Sequence, residues 1–178
     1  MQLIKKIRSN FNSPGEILLF FRIFSLATIL PLLVKFLTVP RLMKILTPQH
    51  SRSSLNYSTD EMSNKIEKYT DYILSRDFWM YKNICLKRSL ILYRFLRKYG
   101  IYVSVCFGVR FKEVLLQGAA GKNMEGHAWL LYKGNIFLEK NPEEPGTYKI
   151  TYCYPETKND LSNSAFVKDI EGHSEPVE

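Results

Sequence analysis

Apolar positions change period along the 178-residue chain, and the changes divide it into helices followed by strands. Residues 17 to 34 are almost continuously apolar, and Ser13, three residues before Glu16, with Pro14 between them, marks a helix start by capping box and N-terminal proline. The stretch "LTPQHSRSSLNYSTD" is polar and aperiodic and reads as a linker. Ser58, boxed by Glu61, opens the next helix, where Met62, Ile66, Tyr69 and Ile73 recur at helical spacing. "YKNICLKRSLILYRFLRKYG", residues 81–100, predicts a buried helix capped by Gly100, with Asn83 as its N-cap.

The period then falls to two. Ile101, Val103, Val105, Phe107, Val109 and Phe111 alternate strictly, which predicts a strand. "KEVLLQGAAGKNME" extends it briefly and then reads as a Gly-rich loop, so that His127 opens the following strand, "GHAWLLY". Lys133-Gly134-Asn135 predicts a three-residue hairpin into "IFLEK", and "TYKITYCY" one more strand with Tyr148, Ile150, Tyr152 and Tyr154 on one side. Helices followed by consecutive antiparallel strands make an α+β plan. The organisation expected is a basic apolar helical segment over residues 1–50, a core over 58–154 and a polar tail over 155–178.

Charge modifies this picture at the N-terminus. Residues 1–52 carry eight Lys or Arg against Glu16 alone, within a net charge of +8. Interleaved apolar residues favour a peripheral membrane surface over nucleic acid as the anionic partner. The apolar run is long enough to span a bilayer, but Arg22 and Pro31 interrupt it and cations flank both ends, so it reads as a core helix rather than a span. Three cysteines without regular spacing give no disulfide framework and place the protein in a reducing cytoplasm, against the inner face of the membrane where it contacts lipid. His50, His127 and His173 are far apart, so no metal is expected. Gly121-Lys122 lacks the glycine and hydroxyl of a phosphate loop, and no cofactor is expected.

The candidate chemistry centres on Cys85. An N-cap at Asn83 puts the sulfur in the first turn, where free N–H groups and the helix dipole favour a thiolate. Cys85, Ser89, Leu92 and Leu96 form the stripe facing the sheet, with Lys87, Arg94 and Lys98 outward. A three-residue hairpin pairs Tyr132 with Ile136, Trp129 with Glu139 and His127 with Asn141, which makes His127 and Glu139 diagonal neighbours on one face. Glu139 would orient the imidazole, with Asn141 as fallback, whereas a two-residue loop would put Glu139 on the opposite face. Cys106 and Cys153 read as structural, as would Cys85 on packing grounds alone.

"CLKRSLILYRFLRKYGI...FGVR" and "GHAWLLYKGNIFLE" resemble the transglutaminase-like cysteine peptidases that remove leaders in lasso-peptide biosynthesis, over residues 60–154. The family pattern is Cys-Leu-x-Arg-Ser/Ala-Leu, then Gly/Ala-His-Ala-Trp, then an acid twelve residues after the histidine. Cys85, His127 and Glu139 match, Glu standing where Asp is usual. The resemblance implies a transglutaminase-like, papain-like core with a Cys-His-Glu acyl-enzyme mechanism and a precursor peptide as substrate. As partners it implies a separate leader-binding protein and an ATP-dependent cyclase. Acyl transfer to an amine and a non-catalytic membrane-associated peptide scaffold are the rival readings.

Overall fold

A computed structural model describes residues 13–49, 58–75, 84–116 and 119–155. The Asn83 cap, most of the linker, His50, the residues of the tail after Pro155 and His173 lie outside the described residues. Four helices come first: α1 (Pro14–Phe36), α2 (Val39–Leu46), α3 (Thr59–Leu74) and α4 (Ile84–Lys98). The strands β1 (Val103–Leu116), β2 (Ala119–Tyr132), β3 (Asn135–Phe137) and β4 (Lys149–Tyr154) follow, with a 3-10 turn at Glu144–Thr147. They form one antiparallel sheet in the order β3-β2-β1-β4, the α+β architecture the periodicity predicts.

The helix starts form as their residues dictate. Ser13 and Ser58 accept hydrogen bonds from the N–H groups of Glu16 and Glu61, three residues on. At α1 the Glu16 carboxylate also reaches inward, to Lys65 at 3.0 Å and to the Tyr69 hydroxyl at 3.2 Å. At the end of α4, Gly100 takes φ 83° and the Ile101 N–H reaches back to the Leu96 carbonyl, a six-residue closure that favours glycine.

α4 is the hub. Leu90, Ile91, Leu92 and Tyr93 are all fully buried, so no side of the helix here is left to water. α1 and α3 cover it on one side, through Ile23, Ala27, Leu30, Ile66 and Ile73, and the sheet on the other. Val103, Val105, Phe107, Leu130, Tyr152 and Tyr154 belong to this main core. The opposite face of the sheet holds a smaller core of Cys106, Trp129, Leu131, Tyr148 and Cys153. The expected outward stripe of α4 is therefore corrected: Lys87 is buried, and burial pushes its ammonium pKa down.

Three strand-level expectations also change. The Gly-rich stretch is not a loop: β1 and β2 pair continuously out to Leu116↔Ala119. β4 pairs with β1 only as far as Val109, and β3 with β2 only over residues 130–132, so the far part of this hairpin is a two-stranded ribbon. Beyond the four-stranded part the described strands pair only with each other, and the strands continue past the end of the alternating pattern. Phe111, the last residue of the alternating run, is exposed.

In β4, Phe107 pairs with Tyr152 and Gly108 with Ile150, leaving Thr151 as a bulge whose hydroxyl donates to the Phe107 carbonyl at 3.1 Å. The extra residue reverses parity, so Tyr148 and Ile150 join the smaller core while Tyr152 and Tyr154 join the main one. The same register sets Cys106 directly opposite Cys153, and they form a disulfide with Cα atoms 4.1 Å apart. Cysteine spacing carries no strand register, so the sequence could not disclose this pair. The bond removes the thiol count as an argument for a reducing compartment.

Two outcomes test this architecture. Thiol titration of the unfolded, unreduced chain should find only the thiol of Cys85 reactive, and reactive Cys106 or Cys153 would refute the pairing. A Cβ at Gly108 would lie 2.9 Å from both the Trp129 ring and Tyr148 Cβ, so Gly108→Ala should cost about 1–3 kcal/mol in denaturant unfolding.

Candidate active site

The start of α4 abuts β2 beside His127. The Ser89 hydroxyl donates to the Ala128 carbonyl at 2.7 Å, both residues being buried. Cys85 lies one helical turn before Ser89 and His127 one residue before Ala128, so this bond sets them against each other. His127 is the ninth residue of β2 rather than its first, and is held by stacking rather than by a loop edge. Its ring lies 5.9 Å from that of Trp129 and 5.2 Å from that of Tyr148, both nearly parallel. The Arg110 guanidinium covers Tyr148 at 4.3 Å from the ring centroid and is anchored to Glu125 and Thr147. Gly108, opposite His127 in the register, leaves the space these rings occupy.

The Cys85 thiol and the His127 imidazole are hydrogen-bonded, which lowers the thiol pKa although burial opposes it; the backbone N–H groups of Leu86 and Ala128 assist. The same bond raises the His127 pKa against desolvation, with the charges of Cys85 and Glu139 adding to it. Both shifts favour thiolate and imidazolium together. His127 Nε2 points to Glu139 Oε2 at 3.8 Å, which leaves Nδ1 for the sulfur.

Glu139 arrives by a route other than the expected register. The hairpin loop has two residues, with Tyr132 opposite Asn135, Leu131 opposite Ile136 and Leu130 opposite Phe137. Continued regularly, that register would put Glu139 on the face away from His127. The described strand ends at Phe137, however, and Leu138 adopts φ 53°, a left-handed conformation costly for a leucine, after which the carboxylate faces the imidazole. The expected pairings of Tyr132 with Ile136, Trp129 with Glu139 and His127 with Asn141 are therefore corrected, while His127 and Glu139 still meet. Asn141 is exposed, and its carbonyl accepts from Glu144 N–H in the turn.

Arg88 holds that turn. Its guanidinium donates to the Leu138 carbonyl, to Glu67 at 2.6 Å and to Asp71 at 2.7 Å, with its side chain only 7% exposed. One cation thus ties α3, α4 and the residue before Glu139 together. In the sequence Arg88 stands only as the arginine of the resembled Cys-Leu-x-Arg pattern, without a role of its own. Glu67 and Asp71, four apart on one face of α3, were the available signal for a buried cation partner.

Burial raises the Glu139 pKa, opposed by the positive charges of His127 and Arg88. Its contact with Nε2 is longer than a hydrogen bond, and Nε2 is buried without a hydrogen-bond partner among the described residues. Catalytic hydrogen bonds are often long before substrate binds and tighten with it. The arrangement supplies a polarised thiolate, a proton donor at Nδ1 and a carboxylate behind the ring. Among the described residues no cluster of metal-ligating side chains is present.

The electrostatics give a signed pH test. A thiolate favoured by His127 should keep iodoacetamide reacting with Cys85 as pH falls below the range of an ordinary thiol. A raised His127 pKa should keep the imidazolium present as pH rises past the range of an ordinary histidine. Glu139→Gln removes one charge supporting the imidazolium and should move the alkaline limb to lower pH. Arg88→Lys should reproduce that movement by releasing the Leu138 turn, and destabilise the fold by about 1–3 kcal/mol. Lower stability with an unchanged pH profile would make Arg88 structural only.

With this geometry in place, comparison with known families returns a model described as the Transglutaminase-like superfamily, matched over residues 30–153. Neither the curated proteins nor the solved structures gave a match. The matched range takes in the end of α1, the cysteine helix and the sheet up to the penultimate residue of β4. The chain belongs to the Transglutaminase-like superfamily, whose chemistry is of the cysteine peptidase and acyl-transfer type.

Proposed function

We propose that the protein is a cysteine peptidase that removes the leader from a ribosomally made lasso precursor peptide, acting with a separate leader-binding protein and supplying an ATP-dependent cyclase. The observation that carries the chemical part is the hydrogen-bonded pair of Cys85 and His127, with Glu139 behind the ring. The choice of substrate rests on the resemblance of the "CLKRSL" and "GHAWLLY" segments to leader peptidases.

In this mechanism the Cys85 thiolate attacks the scissile carbonyl carbon and its oxygen takes the negative charge. Backbone N–H groups of the first turn of α4, that of Cys85 among them, stabilise the oxyanion because the turn has no intrahelical acceptors for them. His127 passes its proton to the departing amine, the C–N bond breaks and a thioester remains. Neutral His127 then takes a proton from water, whose oxygen attacks the thioester. The C–S bond breaks to release the Cys85 thiolate, the product acid loses its remaining proton to solvent and leaves as carboxylate, and the thiolate–imidazolium pair is restored. Glu139 fixes the ring and stabilises its charged form at each stage.

The test combines precursor peptide, leader-binding protein and this chain, read by mass spectrometry. The two fragments should together exceed the precursor by one water, and Cys85→Ala should slow their release on the order of 10⁴-fold or more. A new amide linkage to an added amine would assign acyl transfer instead. Release at the wild-type rate by Cys85→Ala would refute the role of the thiol.

A further inference from the structure

α1 is apolar on two sides, and the fold covers one. Its inner side, with Leu19, Ile23, Ala27 and Leu30, is buried in the main core. Its outer side carries Leu18, Phe21, Ile29, Leu32 and Phe36, each at least half exposed and reaching 75% at Phe36. Two hydroxyls interrupt this outer stripe, and both are spent within the helix. Ser25 donates to the Phe21 carbonyl at 2.8 Å and Thr28 to the Phe24 carbonyl at 2.9 Å, so the stripe offers no unspent hydroxyl proton to water.

We propose that this outer face of α1 lies in the plane of an anionic lipid surface, holding the domain on the membrane as an interfacial helix. Charge complementarity selects that occupant. Taking 100° per residue, Arg22 and Lys35 fall on opposite flanks of the stripe, roughly 80° and 60° from Leu32. Long cationic side chains there lie along the apolar surface and place their charges among headgroups. Arg41 and Lys44 of α2 are exposed as well. The sole carboxylate of α1 and α2, Glu16, is buried and paired with Lys65, so nothing on these helices repels anionic lipid. A two-fold contact with a second copy would instead bring cations together with no acid of α1 or α2 to offset them.

The helix is also long and apolar enough to cross a bilayer, at 23 residues and about 34 Å. Its inner face argues against crossing. Ile23, Ala27 and Leu30 are fully buried against the domain, and Glu16 is ion-paired to Lys65 of α3. A spanning α1 would abandon those contacts or draw an ion pair and a polar helix into hydrocarbon. Lying in the plane costs neither.

The inference goes beyond the proposed peptidase reading and is tested without any cleavage assay. The intact protein is sedimented with phosphatidylcholine vesicles with and without phosphatidylglycerol. It should pellet with the anionic vesicles only, less so as salt rises, and be released by alkaline carbonate. Phe21→Ser with Leu32→Ser should abolish pelleting while Cys85 alkylation is unchanged, and Arg22→Gln should weaken it about fivefold. Four results would overturn the proposal: no pelleting with anionic vesicles, equal pelleting with neutral ones, resistance to carbonate, or a dimer dissolved by the serine variant without lipid binding. The third would mean a span and the fourth a second copy.

Discussion

The buried hydrogen bond from Ser89 to the Ala128 carbonyl fixes where α4 stops sliding along β2. Helix packing alone is tolerant of small shifts, because apolar side chains interlock at several offsets of nearly equal energy. A hydroxyl facing a buried carbonyl is not tolerant, since losing the bond strands a polar group in the core. One turn of helix and one residue of strand then decide that thiol meets imidazole. The hydroxyl therefore specifies the site although it takes no part in the chemistry.

From that contact outward, each support compensates a specific cost. Burying a histidine disfavours its charged form, and the sulfur and carboxylate on its two nitrogens work against this. Reaching Nε2 requires the chain to turn at a left-handed leucine, and the Arg88 guanidinium binds the carbonyl of that leucine. A buried guanidinium needs acids in turn, which Glu67 and Asp71 of α3 supply. The turn that brings Glu139 to His127 is thus held by a helix some seventy residues earlier in sequence.

What was legible in the sequence followed from periodicity and local chemistry. Ser13, Ser58 and Gly100 mark real helix ends because capping depends on neighbours a few residues away. The meeting of Cys85, His127 and Glu139 was expected from residue type, spacing and the family resemblance, and the structure gathers all three. Parity was not legible. The faces of β4, the approach of Glu139 and the hairpin register each hinge on one residue: the bulge at Thr151, the turn at Leu138, the loop length at Asn135. Two misread features, a loop one residue too long and an unrecognised left-handed turn, offset each other at Glu139. A correct prediction of proximity therefore rested on an incorrect register.

The helix α1 poses the same question of cover at a larger scale. The family match begins at residue 30, within α1, yet the buried surface continues back through Ala27 and Ile23 to Leu19. The Glu16–Lys65 and Glu16–Tyr69 contacts extend it to the first turn. The N-terminal half of α1 is therefore part of the same core as the cysteine helix. If lipid covers its outer side, the hydrophobic effect acts on both faces of one helix, and whatever displaces α1 from the membrane need not disturb the packing beneath it.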